Sequence, residues 1–375
     1  MKRNFQPFLL ERELGIWEHT VEYNLSESGV HPMSTAELLG NDPRLIEEFL
    51  EIELNYPHTK GSIEVREAIA ALHSGASPDD VLVTTGAAQA NFTSILTVLD
   101  PGDEILVMLP NYMQIWGIAK NLGLNLKTFS LREDLNWGFD IDEFNKTVSN
   151  KTRLIAVCNP NNPTGHIMTA NERNAVIDAA GKVGAWILSD EVYAGAELDT
   201  EKETPSFWGE YDRVLAIGSM SKAYALPGLR LGWVVSNKEM ADEIWARQDY
   251  VTICPTILAS KLAAFALSPD VRLRIIKRTR DYVRRGFSNL KNWVDKHNDI
   301  LSVYPPGAAA IGFVHYDLEI NSSELVNRIV QEQSTFIAPG DHFGMDHYLR
   351  ISFGLSDEYV NEGLRRIYKT IDSVK

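Results

Sequence analysis

The stretch Val214-Leu215-Ala216-Ile217-Gly218-Ser219-Met220-Ser221-Lys222-Ala223-Tyr224-Ala225-Leu226-Pro227-Gly228-Leu229-Arg230-Leu231-Gly232 decides how the rest of the chain is read. Its apolar opening, 214–219, has the length and composition of a buried strand. Small hydroxyl residues close that strand, a lysine follows at 222, and an arginine stands eight positions later. Packing asks for none of these. Their weight comes from placement at a strand end, where α/β sheets collect ligands.

Outward from this segment the chain alternates helix and strand. A helix is expected over 62–72, a strand over 81–85, a helix over 87–98 and a strand over 104–109. A helix near 112–121 follows, then strands over 125–131 and 153–158, a helix over 170–181, and strands over 186–189 and 231–235. Short β-rich runs separated by helices imply mostly parallel pairing with helices on both faces, a doubly wound α/β arrangement around a mixed, mostly parallel sheet. After residue 268 the character changes. Ser268 is suited to cap a helix whose first position is Pro269, and an amphipathic pattern runs to about 296. Strands over 301–304, 310–316 and 348–353 and helices over 323–333 and 357–373 then describe a second, smaller α+β domain. The expected division is 46–268 for a large ligand-binding domain and 269–375 for the small one, completed by residues 1–45.

The chain has 375 residues, 44% apolar and 23% charged, within the ordinary globular range. With 51 acidic against 36 basic residues its net charge is −15, so a nucleic-acid partner would be repelled. Cys158 and Cys254 have no CxxC spacing, which argues against a disulfide framework or a metal site. Residues 1–14 lack a sustained apolar run and no window is long and apolar enough for a membrane span, so a cytoplasmic protein is expected.

Other segments ask for ligands of their own. Thr85-Gly86-Ala87-Ala88-Gln89 leaves a strand and opens a helix, so free N–H groups and the positive helix end converge on one spot. Asn159-Pro160-Asn161-Asn162-Pro163-Thr164-Gly165 is a turn directly after a strand. Asp190, in Ser189-Asp190-Glu191-Val192-Tyr193, would be a costly buried carboxylate without a cation. Arg350, inside the apolar run Tyr348-Leu349-Arg350-Ile351-Ser352-Phe353, needs an anion.

Together these segments resemble the fold type I pyridoxal-phosphate enzymes, and within them the class I/II aminotransferases, along nearly the whole chain. The resemblance implies pyridoxal 5′-phosphate as cofactor, with Lys222 as its Schiff-base lysine and carrier of protons. It implies that Ser219, Ser221 and Arg230 and the amides of Ala87 and Ala88 bind the phosphate. Tyr112, in Leu109-Pro110-Asn111-Tyr112, is implied to stack on the ring. Asn162 and Tyr193 are implied to hydrogen-bond the phenolic oxygen, and Asp190 to keep the ring nitrogen protonated. Arg350 would clamp the substrate α-carboxylate, with Asn162 and Gly29 also against the substrate. Asn55-Tyr56-Pro57 resembles the segment whose tyrosine reaches a neighbouring subunit's phosphate, which implies a homodimer with shared sites.

Amino acid and 2-oxo acid substrates follow from the same resemblance. Elimination and cyclisation start from the same constellation, and Ser28-Gly29-Val30-His31 with the lysine segment resembles cyclases of the capreomycidine synthase kind. Tyr193, where related carbon–sulfur lyases carry histidine, favours an aminotransferase. A transcription regulator built on this core would need a DNA-binding extension, which is not expected. Trp17, His19, Glu27 and Trp116 are side-chain-pocket candidates. The small run Pro306-Gly307-Ala308-Ala309-Ala310 suggests a roomier pocket or one filled by a partner residue.

Overall fold

The structure, a computed structural model, describes residues 5–375. In chain order the strands are β1 (Tyr23–Asn24), β2 (Val81–Thr84), β3 (Glu104–Leu109), β4 (Asn125–Arg132), β5 (Gly138–Phe139), β6 (Thr152–Cys158), β7 (Trp186–Asp190), β8 (Val214–Ser219) and β9 (Gly232–Val235). There follow β10 (Leu301–Val303), β11 (Ile311–Tyr316), β12 (Thr335–Phe336), β13 (Ala338–Pro339) and β14 (Tyr348–Ser352).

Eight strands form one sheet in the order β2-β9-β8-β7-β6-β3-β4-β5. Its centre, β8-β7-β6-β3-β4, is parallel. Alternate residues feed two apolar layers, since successive side chains in a strand point to opposite faces. Leu154, Ala156, Leu188 and Ile217 pack with helix Gly86–Val98 on one side. Ile155, Val157, Ile187 and Ala216 pack in the larger core on the other. Both faces are therefore covered, as a parallel sheet requires.

The sheet is mixed and mostly parallel, as expected, with its antiparallel pairs toward the edges. β9 runs antiparallel to both β8 and β2. The reason lies in the connection: residues 220–231 hold only the single turn Pro227–Leu229, too short to cross over a sheet face and restart in parallel. That tight return brings Lys222 and Arg230 to the same sheet end. Helices Lys238–Gln248, Ile257–Ala266, Ile141–Thr147 and Leu9–Trp17 were not expected from the sequence, whose apolar runs there are short.

The second sheet is antiparallel, β10-β11-β14-β13, and pairs Phe313 with Arg350. Helix Asp357–Ser373 packs both on helix Ser322–Gln333 and on the connecting helix Pro269–Lys296. Residues near the N-terminus join this region: β1 pairs parallel with β12, Ser352 N–H donates to Leu25 O at 2.8 Å, and His31 N–H donates to Gly354 O at 2.7 Å. Ser268 does occupy the cap position of the connecting helix, but its hydroxyl donates backwards to Phe265 O at 2.7 Å instead of capping forward. Among the described residues, no helix is long and apolar enough to cross a membrane.

The connecting helix is fastened next to the lysine loop. Thr279 donates to Ala223 O at 2.7 Å, and Arg280 Nη2 donates to Glu197 Oε2 at 2.6 Å. Glu197 is fully buried and also accepts from the amides of Gly195 and Thr204 at 3.0 and 2.8 Å. Removing one partner of such a pair strands a buried charge, which costs about 3–5 kcal/mol. Arg280→Ala is therefore expected to lower the unfolding free energy by about that amount, measured by urea denaturation.

Candidate active site

A cavity of about 580 Å³ opens at the carboxyl ends of β6, β7 and β8. Cys158, Asp190 and Ser219, the last residues of these three strands, all line it. Parallel register sets Cys158 opposite Asp190, so the backbone itself fixes their spacing.

One end of the cavity is built for an anion. Helix Gly86–Val98 starts here with no side-chain cap, leaving its first N–H groups, including those of Ala87 and Ala88, for another acceptor. Ser221 N–H and Ser219 Oγ are joined at 3.0 Å, the Ser219 hydroxyl meets the Ser221 hydroxyl at 3.0 Å, and Arg230 Nη1 reaches Ser221 Oγ at 3.4 Å. Gly86 has φ +78°, and a Cβ there would stand 2.7 Å from Arg230 Nη2. Glycine thus permits both the turn and the approach of the guanidinium.

Asp190 sits at the other end, 8% exposed. Asn91 Nδ2 donates to its Oδ2 at 3.0 Å, and Val192 N–H lies 3.4 Å from its Oδ1. No cationic side chain forms an ion pair with it among the described residues. Burial raises its pKa, opposed by the Asn91 and Val192 bonds and by the positive field of Lys222. Lys222 Nζ has Glu27 Oε2 at 3.8 Å. Gly29 lies against this lysine: a Cβ on it would be 3.4 Å from Ser221 O and 3.8 Å from Lys222 Cα.

Tyr193 is buried and donates to Ser28 Oγ at 2.9 Å. Desolvation pushes its hydroxyl pKa up, against the lowering field of Arg350. Arg350 is 2% exposed. Its Nη1 donates to Asn162 Oδ1 at 3.0 Å, its Nη2 donates to Ser26 O, and its Nε has no partner. Both acceptors are neutral, so the guanidinium charge is uncompensated by any ion pair among the described residues. The Asn162 turn is braced from within: Asn161 Oδ1 accepts from Thr164 N–H at 3.1 Å and Thr164 Oγ1 at 2.8 Å, while its Nδ2 donates to Pro110 O at 3.1 Å.

Tyr112 lines the cavity too, its ring 4.9 Å from that of Phe8 and its hydroxyl donating to Glu11. Tyr56 does not. It is 85% exposed and stands apart from the cavity formed within one chain. Of the side-chain-pocket candidates, Glu27 lines the cavity. Trp17 and Trp116 pack against the cores and His19 points to solvent. His31 is exposed beside Tyr282, with ring centroids 6.3 Å apart.

The alanine run makes no roomier pocket. Ala308, Ala309 and Ala310 are at most 2% exposed, outside the cavity wall, with Ala309 packed under Cys158 and Tyr193. The backbone packs closely on both sides of the run: Gly165, at φ +71°, would place a Cβ 2.3 Å from Pro306 Cβ and 2.7 Å from Ala308 O, and Gly354 would place one 2.7 Å from Ala310 Cβ.

Residues 46–367 match the family model for aminotransferase class I and II. The chain belongs to that family. It is similar to capreomycidine synthase from Streptomyces vinaceus, with 28% identity over 349 residues, covering 92% of this chain and 88% of the relative. It is likewise similar to aspartate aminotransferase from Thermotoga maritima, with 28% identity over 330 residues, covering 86% and 84%. A solved PLP-dependent aminotransferase from Streptococcus suis superposes with a TM-score of 0.92 at 28% identity, over 100% of this chain and 99% of that one.

Sequence reasoning did not find Asn91, which orients Asp190, nor the stripe Glu11, Leu14, Gly15 and Glu18 that walls the cavity from helix Leu9–Trp17 and its cap. Asn91 had no visible signal. The stripe had one, since positions 11, 14, 15 and 18 share a helix face.

Asp190 also sets a stability test. Its folded-state pKa is raised, so folding disfavours its charged form, and this contribution to stability declines as pH rises above the unfolded value. Cofactor-free Asp190→Asn is expected to melt at or above the wild-type temperature at neutral pH. That advantage should shrink as pH is lowered and Asp190 protonates, as read by circular dichroism melts across pH.

Proposed function

We propose that this protein transfers the amino group of an L-amino acid to a 2-oxo acid, using pyridoxal 5′-phosphate held on Lys222. The observation that carries the reading is the convergence in one cavity of an amine, Lys222, with a buried carboxylate, Asp190, and a buried guanidinium, Arg350, neither of which has an oppositely charged partner. The cofactor fits this set. Its phosphate suits Ser219, Ser221, Arg230 and the amides of Ala87 and Ala88, and its ring nitrogen supplies the cation that Asp190 lacks.

When bound, pyridoxal phosphate supplies an aldehyde that captures the substrate amine and a ring that holds the electron pair left by Cα–H cleavage. The residues do the rest. Arg350 binds the α-carboxylate, which fixes Cα relative to Lys222. Lys222 would hold the cofactor through Nζ, and the same Nζ would serve as the base that takes the substrate Cα proton and as the acid that returns it. Asn162 is oriented by its Oδ1 bond to Arg350, which leaves Nδ2 as a donor for the phenolic oxygen beside Tyr193. Tyr112 and Gly29 bound the space above Lys222.

In this reading residues 46–268 form the cofactor domain. Residues 269–375 with 1–45, of which 1–4 lie outside the described residues, form the smaller domain that presents Arg350. A homodimer completes the site, with Tyr56 of a second copy reaching the phosphate. The exposure of Leu50, Leu54, Tyr56 and Tyr250 supports this. Gln248 donates to Thr59 O at 3.0 Å, holding the turn that carries Tyr250 beside the segment after Tyr56. A cytoplasmic location accords with two unbridged cysteines.

Similarity to capreomycidine synthase favours one competing reading, cyclisation, and product analysis separates the two. Loaded enzyme mixed with a single reactive amino acid, without oxo acid, is expected to yield one equivalent of 2-oxo acid and aminated cofactor per site. A cyclised product, or ammonia without aminated cofactor, would contradict transamination. Lys222→Ala should slow the step by about 10²–10⁴-fold, the range for general acid–base catalysis, in single-turnover kinetics. The dimer has its own test: sedimentation of the loaded protein is expected to give two chains per particle, and one chain per particle would contradict the shared site.

A further inference from the structure

The charges of the cavity do not balance once the proposed reactants are placed. Its cationic lining residues are Lys222, Arg230 and Arg350. In the reading above, on which this inference rests, the first two serve the cofactor and the third takes the substrate α-carboxylate. Of the lining carboxylates, Asp190 is taken by the ring nitrogen. Glu11, Glu18 and Glu27 remain: Glu18 has only the solvent-exposed His19 Nε2, at 3.0 Å, and Glu27 only Lys222 Nζ, at 3.8 Å, so once Lys222 serves the cofactor no lining cation of this chain is left for them.

The helix that carries Glu11 and ends at Glu18 is held in place. Helix Leu9–Trp17 is pinned ahead of its first turn by Gln6, whose N–H donates to Asn121 Oδ1 at 2.7 Å and whose carbonyl accepts from Asn121 Nδ2 at 3.1 Å. Glu13, which does not line the cavity, lies 3.5 Å from the buried His342 Nε2. The cavity stripe therefore carries a carboxylate at each end, Glu11 and Glu18. Between them Gly15 has open space where a Cβ would stand. Glu27, on the segment passing Lys222, is half exposed, and its field and that of Glu11 both act on the Arg350 guanidinium.

Arg350 gives the independent sign that a ligand belongs here, being 2% exposed with an unpartnered Nε. It also orients the ligand. With the α-carboxylate at Arg350, the side chain extends into space whose remaining formal charge is negative. A side-chain carboxylate would meet three like charges and no second arginine from this chain. A guanidinium or ammonium would find acceptors, because a carboxylate already accepting one bond, as Glu11 does from Tyr112, keeps further lone pairs.

We propose that the substrate is an amino acid with a positively charged side chain, and that Glu27, with Glu11 and Glu18, selects it. The test separates charge from shape. Loaded enzyme is titrated by calorimetry with 5-guanidinopentanoate and with 5-ureidopentanoate, which share a carboxylate and chain length, lack the α-amine and differ in charge. The guanidino compound is expected to bind about 10- to 100-fold more tightly, the span of a charged hydrogen bond, and Glu27→Gln should lower that ratio by about tenfold. Equal affinities, no binding of either, or an unchanged ratio in Glu27→Gln would overturn the proposal. Single-turnover amino transfer is compared for L-arginine, L-citrulline, L-glutamate and L-leucine, with L-arginine expected to show the highest kcat/KM. Transfer as efficient from glutamate or leucine would overturn this inference and leave transamination standing. Selective guanidinium binding without transfer from any amino acid would do the reverse.

Discussion

Asp190 is the constraint around which the site is arranged. A carboxylate at the buried end of a central strand, supported only by an amide side chain and a distant backbone N–H, is unfavourable unless a cation arrives. The protein could have supplied a lysine or arginine of its own, and among the described residues it does not. Asn91 fixes the carboxylate without neutralising it. Such a group costs stability in the empty protein, and in the proposed reading its counterpart would be a protonated ring nitrogen.

The same logic repeats at Arg350, an inward guanidinium held by two neutral oxygens. Two uncompensated charges of opposite sign, with an amine between them, suit a ligand that is itself cationic at one place and anionic at another. The fold makes this affordable through the connecting helix: the Arg280–Glu197 pair and Thr279 brace the loops after β7 and β8. Arg350 comes from the separate antiparallel sheet.

Much of this was legible in the sequence because strand ends are. Apolar runs located β6, β7 and β8, and each was followed directly by the residues that line the cavity. Arg350 was visible as a charge within an apolar strand. What sequence hid was three-dimensional compensation. Asn91 looks like any polar helix residue until it meets Asp190. The antiparallel β9 follows from a short connection that apolar patterning does not encode. Ala308 to Ala310 suggested space, yet lie buried where the backbone packs closely around Gly165. The Glu11–Glu18 stripe has helical spacing, but which way it faces depends on Gln6 and Asn121, more than a hundred positions apart.

The central claim, that Asp190 is kept uncompensated to hold a ring cation, is tested most directly by ¹⁵N nuclear magnetic resonance of the enzyme loaded with ring-¹⁵N pyridoxal phosphate. The account predicts a protonated ring nitrogen at neutral pH in the wild type and loss of that proton in Asp190→Asn. An unprotonated nitrogen in the wild type, or the same signal in both proteins, would contradict it.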